Sequence, residues 1–109
     1  MFSTRPGSIT FENHLEKLNE PIKPIMVDLR KFVMSLGSNV IEEVRPHRIV
    51  YSKTLTFRTF LDIESTDGKS LRLSIRYGRG SPPASLLVMN IEDSESAKKQ
   101  IAEAYHKIQ

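Results

Sequence analysis

The hydrophobic positions of this chain form three helical stripes separated by a run of alternations. Phe11, Leu15 and Leu18 recur at i, i+4 and i+7 behind Thr10, which predicts a short helix capped by that threonine. Asn19-Glu20-Pro21 interrupts it, because proline disfavours helical geometry at the residue before it and has no amide to donate. A second helix is expected from about Pro24 to Leu36. There Ile25, Leu29, Phe32, Val33 and Leu36 make one apolar stripe, Asp28, Arg30, Lys31 and Ser35 lie on the other side, and Gly37 supplies a left-handed stop. Ala97, Ile101, Ala104, Tyr105 and Ile108 repeat the pattern near the C-terminus, with Asp93 as the expected cap and Glu95 in the first turn.

Between the second and third helices the period changes from helical to two. Ile49-Val50-Tyr51 reads as a short strand and Thr56–Glu64 as a longer one. Asp67-Gly68 is the dipeptide that a tight type I′ hairpin turn prefers, so Thr56–Glu64 is expected to pair with the segment after it. In that segment Leu71, Leu73, Ile75 and Tyr77 alternate with Arg72, Ser74 and Arg76, giving one buried and one wet face. Leu86–Ile91 is apolar on both faces, which predicts a strand inside the sheet, after a loop centred on Pro82-Pro83. Residues 38–46 fit either one more helical turn or an edge strand, ended by Pro46. Residues 1–9 have no periodicity and are expected to fray. The order of elements predicts one α+β domain over 1–109. It is a two-layer sandwich with an antiparallel sheet of three to four strands, two N-terminal helices and one C-terminal helix packed on one face.

Composition narrows the chemistry. The chain has 109 residues and no cysteine, which excludes disulfides, thiolate metal sites and cysteine nucleophiles. No apolar run is long enough to span a bilayer, and the first ten residues lack a signal peptide's apolar stretch, so no membrane partner and a cytoplasmic location are expected. The formal charge is +3, but the basic residues are gathered. Arg45, Arg48, Lys53, Arg58, Lys69, Arg72, Arg76 and Arg79 share the middle of the chain with only Asp62, Glu64 and Asp67. Arginine suits bidentate contacts to phosphate or carboxylate.

Motifs for catalysis are weak. His14, His47 and His106 are far apart with no metal-ligand spacing, so neither metal nor cofactor is expected. Glu42 and Glu43 are adjacent and point apart. Asp62 and Glu64 share a strand face but lie opposite Arg72 and Arg76, where cross-strand ion pairing is the simpler account. Gly78-Arg79-Gly80-Ser81 lacks the lysine and the following helix of a phosphate-binding loop.

The remaining candidate is a surface. With helices covering the Leu71/Leu73/Ile75 face, Arg58, Arg72, Arg76 and Arg79 would stand on the other, with Arg45, Arg48 and Lys53 nearby and Phe60 as an exposed ring for base stacking. The expected function is thus that of a binding or accessory domain rather than an enzyme, with nucleic acid or another polyanion as partner. The alternative is a homo-oligomeric or protein-interaction module, using Phe60 with Leu55 and Phe57, or the Val40/Ile41/Val44 segment as a sheet edge.

From about Val27 onward the chain resembles a small prokaryotic family, the domain of unknown function numbered fifty-six fifty-five. The likeness is carried by the helix Leu29–Gly37, Tyr51-Ser52-Lys53 with Phe57, the Leu71/Leu73/Ile75 strand, and Ala104-Tyr105. It implies helices on a sheet and supplies no catalytic residues; Tyr51, Lys53, Phe57 and Tyr105 match its landmark positions. The element order is also similar to frataxin-like domains, which use an acidic ridge. Here Glu12, Glu16, Glu20 and Asp28 are interleaved with Lys17, Lys23, Arg30 and Lys31, which suits a solvated helix face instead.

Overall fold

The structure is a computed structural model that describes residues 9–54, 58–65, 67–78 and 82–108. In chain order it contains α1 (Phe11–Glu16), α2 (Ile22–Met34), β1 (Val40–Val44), β2 (Ile49–Lys53), β3 (Thr59–Glu64), β4 (Leu71–Ile75), β5 (Ala84–Val88) and α3 (Ile91–Lys107). The five strands form one antiparallel sheet in sequential order, β1-β2-β3-β4-β5. Five strands replace the expected three to four because Val40–Val44 resolves as a strand paired with β2.

Thr10 caps α1 as its position predicts. Its hydroxyl accepts from the Asn13 amide while the Asn13 side chain accepts from the Thr10 amide, a reciprocal cap. α2 starts two residues ahead of Pro24, which falls in the first turn, where a missing amide interrupts no helical bond. Gly37 is not left-handed. Its glycine identity answers a close approach instead, since a Cβ there would collide with the Tyr105 hydroxyl and with Asn39 Oδ1, two groups hydrogen-bonded to each other. Asn90, not Asp93, caps α3: its side chain accepts from the Asp93 amide, and Asp93 in turn accepts from the Met89 amide.

Strand parity separates two faces. The inner one carries Val40, Ile49, Tyr51, Leu61, Ile63, Leu71, Leu73 and Ile75, all buried. Each helix touches it or its margin. The Arg30 guanidinium of α2 binds Glu42 of β1, and Lys53 Nζ of β2 donates to the Ile108 carbonyl at the end of α3, 2.8 Å away. His14 Nε2 of α1 lies 2.7 Å from the Arg45 carbonyl. α2 and α3 are joined to each other by Lys98 and Asp28.

Two readings from alternation fail for physical reasons. Phe60 is out of phase with Leu61 yet wholly buried, its ring edge-on to Tyr105 at 5.4 Å. The register slips here, with Tyr51 opposite Leu61 but Ser52 opposite Thr59, so Phe60 is the extra residue of a bulge that turns it inward. The apolar C-terminal strand is an edge, not a central strand. It ends at Val88 and, among the described residues, pairs only with β4, while Ile91 already begins α3. The β3–β4 connection is also wider than a two-residue turn. Gly68 takes the positive φ of 74° expected of it, but Asp67 Oδ1 organises the connection by accepting from the Lys69 and Ser70 amides.

Candidate functional site

The outer face is built in rows across the sheet. One row runs Glu43, Val50, Asp62, Ser74 and Ser85 through all five strands. In the next, Glu64 lies opposite Arg72, and Arg72 opposite Leu87. Continuing the β2–β3 register by one residue sets Arg48 opposite Glu64, and the Arg45 amide bonds to the Arg48 carbonyl. This face therefore interleaves charges of both signs.

The seven basic candidates divide accordingly. Arg72 on the outer face and Arg76 just past the end of β4 are both exposed. Arg48 is exposed in the β1–β2 connection. Arg45 is exposed but paired with Glu43 at 3.0 Å. Arg58 is half-buried, and its carbonyl accepts from the Lys53 amide. Lys53 lies on the inner side, its ammonium on the Ile108 carbonyl and 4.3 Å from the centre of the Tyr105 ring. Arg79 lies outside the described residues, as do Leu55 and Phe57. With Phe60 buried, the ring expected for base stacking does not stand on this face. The cross-strand ion pairing expected of Asp62 and Glu64 is not formed: among the described residues neither has a salt bridge, and Asp62 is buried at 5% exposure.

The two edges of the sheet are built differently. At β1, Glu42 turns inward and accepts both fork nitrogens of Arg30 at 2.8 Å, and the buried Tyr51 hydroxyl donates to the same carboxylate at 2.8 Å. The guanidinium also rests on the Phe11 ring at 4.1 Å. Burial, reinforced by the bond to Glu42, pushes the Tyr51 phenol far above its ordinary range, and the bond to Glu42 raises Arg30 as well. Glu43 and Arg45 add charge on the outward side.

At β5, among the described residues, there is nothing comparable. From Gly80 to Ile91 no residue is charged, the longest such run in the chain. Leu87, Met89 and Ile91 are 51%, 54% and 68% exposed. Among the described residues only β4 pairs with this strand. Apolar residues on both faces and the lack of charge give this edge the pattern of an interior strand.

Two concavities flank the helices. One of about 310 Å³ lies between α1 and the β3–β4 connection, with His14, Lys17, Glu64 and Asp67 among its lining. Asp67 is held below the usual carboxylate range, first by the Lys69 amide, and so serves its own turn. The other, about 220 Å³ and mostly apolar, lies between the starts of α2 and α3, lined by Pro21, Pro24, Ile25, Asp28, Ile91 and Ser94. Among the described residues no group of three or more metal-ligating side chains comes together, and no helix is long and apolar enough to cross a membrane. Compared with protein-family models, with curated proteins and with solved structures, the chain finds no match.

Proposed function

We propose that this chain is a protein-binding module that recruits its partner by strand addition at β5. The observation that carries the reading is an uncharged edge strand that exposes Leu87 and is followed by exposed Met89 and Ile91. Unpaired strand edges are templates for another strand, and folded proteins usually guard them with charges or cover. The reading takes the helices as one layer over the inner face. Support comes from Glu42, Tyr51 and Lys53, which share that face and meet α2, each other and the end of α3. On this reading the sheet's free rim, not a pocket, is the working surface.

A photo-crosslinking residue placed at Ser85 and, separately, at Glu43 tests this in cells. The expected result is one discrete crosslinked product from position 85, lost on Leu87→Lys and absent from position 43. Equal yields from both positions, or none from either, overturn the reading.

A second reading, an anion-binding outer face, is favoured by Arg72 and Arg76, which are exposed and have no ion-pair partner among the described residues. Titration with a fluorescent single-stranded oligonucleotide should show binding that weakens with salt, and Arg76→Glu should reduce it several-fold at low salt. Flat titrations of the unaltered chain at low salt remove this reading.

A further inference from the structure

We infer that the strand added at β5 is β5 of a second copy of this chain, run antiparallel about a two-fold axis so that two five-stranded sheets become one. The inference rests on the strand-addition reading and supplies its partner.

Charge on the two edges selects the occupant. Pairing β1 with its own copy would set Glu42 and Glu43 near their equivalents, because a two-fold axis through Val40–Val44 brings the middle of each strand to the middle of the other. Pairing β1 with β5 of another copy is a heterologous contact. It leaves one bare β5 at the end of every open chain of molecules and closes only where the rotation between copies completes a ring. Pairing β5 with β5 opposes no charge to any charge in any register, since Ala84–Val88 and its flanks from Gly80 to Ile91 are uncharged. It also uses up every bare edge in one step and leaves only the charged β1 edges outside. Of the three pairings, this one opposes no charges and closes in a single step.

The side chains around β5 fit that geometry. Centred on Leu86, the pairing sets Ser85 opposite Leu87 of the second copy, both on the outer face, and Ala84 opposite Val88 on the inner face. The same register extended by one residue brings Pro83 beside Met89 of the second copy. Met89 thereby gains Pro83 as an apolar neighbour, and Leu87, half exposed in one chain, gains its own equivalent on the diagonal.

Sedimentation velocity of the purified full chain over about a hundredfold range of concentration tests the inference, with thermal midpoints measured in parallel because a dimer's midpoint rises with concentration. A reversible monomer–dimer equilibrium without larger species is expected. Ser85→Lys with Leu87→Lys places lysine opposite lysine in the pairing and should weaken the dimer at least about tenfold. Ser85→Glu with Leu87→Glu should do the same alone, and an equimolar mixture of the two variants should dimerise again. Circular dichroism identifies a variant that fails to fold; the glutamate pair, with Leu87→Glu facing Arg72 across the strands, is then the independent check.

A wild-type chain that stays monomeric throughout, a lysine variant that dimerises as tightly as wild type, or a mixture that fails to recover each overturns the inference. If the chain is monomeric while position 85 still crosslinks to a different protein in cells, the self-pairing fails and the strand-addition reading stands. If crosslinking is silent as well, both fall.

Discussion

The first and last strands of this sheet are both edges, and they handle the same exposed backbone in opposite ways. β1 is short, carries Glu42 and Glu43, and is fastened to α2 by a bidentate Arg30–Glu42 pair that the Tyr51 hydroxyl completes. β5 is as short, carries no charge, and leads through Met89 into an α3 whose first residue is more than half exposed. A strand with two carboxylates meets them again in its own copy when paired at its centre; an uncharged strand meets none. The difference teaches that the fold is closed on one side and left open on the other, and that the open side is where recognition is to be sought.

The largest effect should come from undoing the fastening at β1. Glu42→Ala removes the acceptor of the buried Tyr51 hydroxyl and the partner of a guanidinium that already lies on Phe11. Loss of a fully buried pair by truncating one partner costs about 3–5 kcal/mol. Arg30, 38% exposed, can still reach water, so about 2–3 kcal/mol is expected in urea denaturation. Glu42→Leu combined with Tyr51→Phe should recover part of that loss, because no buried polar group is then left unmatched. A single-variant change below about 0.5 kcal/mol would show that the edge is held by something else.

A second test makes β1 resemble β5. Glu43→Thr removes the outward carboxylate and frees Arg45, while leaving the Glu42 fastening intact. Monomer stability should change by no more than about 0.5 kcal/mol, because the pair is solvated. Assembly should change instead: with both edges weakly guarded, species larger than a dimer should appear in sedimentation at high protein concentration, and Ser85→Lys with Leu87→Lys should suppress them. A distribution unchanged from wild type would mean that charge on β1 does not guard it.

Legibility in the sequence tracks how local each cause is. The three helices are readable because a stripe such as Ile25, Leu29 and Val33 states both the helix and its buried face. The β3–β4 pairing is readable from the clean alternation of Leu71–Ile75, although Asp67 shaped the connection by an unforeseen side-chain turn. Phe60 is not readable, because a bulge is a property of two strands and its partner residues Tyr51 and Ser52 lie some distance away in sequence. The same holds for Lys53, whose ammonium meets the end of α3 only once the chain has folded back. Of the candidate basic surface, Arg72 and Arg76 follow from alternation alone, whereas the destinations of Arg45 and Lys53 depend on neighbours that no local pattern names. The β5 edge is not readable, because alternation shows which faces are apolar and is silent on how many neighbours a strand has, and an edge without charges reads as interior.

The smallest effect contrasts the fastening of α2 to β1 with that of α2 to α3. The latter relies on Lys98, whose ammonium lies 2.6 Å from Asp28 and 2.7 Å from Glu95, with both carboxylates more than half exposed. The bond to Asp28, followed by that to Glu95, raises the Lys98 pKa above its ordinary value. A lysine whose folded pKa is raised contributes stability that is fully present below its unfolded pKa of about 10.4 and lost as pH rises through the higher folded value. Screening limits the contribution to below about 1 kcal/mol, and added salt should shrink it further. Comparing Lys98→Met with the unaltered chain by urea denaturation at neutral pH and above pH ~10.4 isolates it. The gap between the two proteins should narrow at the alkaline end, and in high salt at neutral pH. In Arg30→Met the corresponding gap should persist over the same pH interval, because a guanidinium stays charged there. A Lys98→Met gap that widens with alkalinity would reverse the assigned sign, and one that stays constant would show that the charge of this lysine does not hold the two helices together.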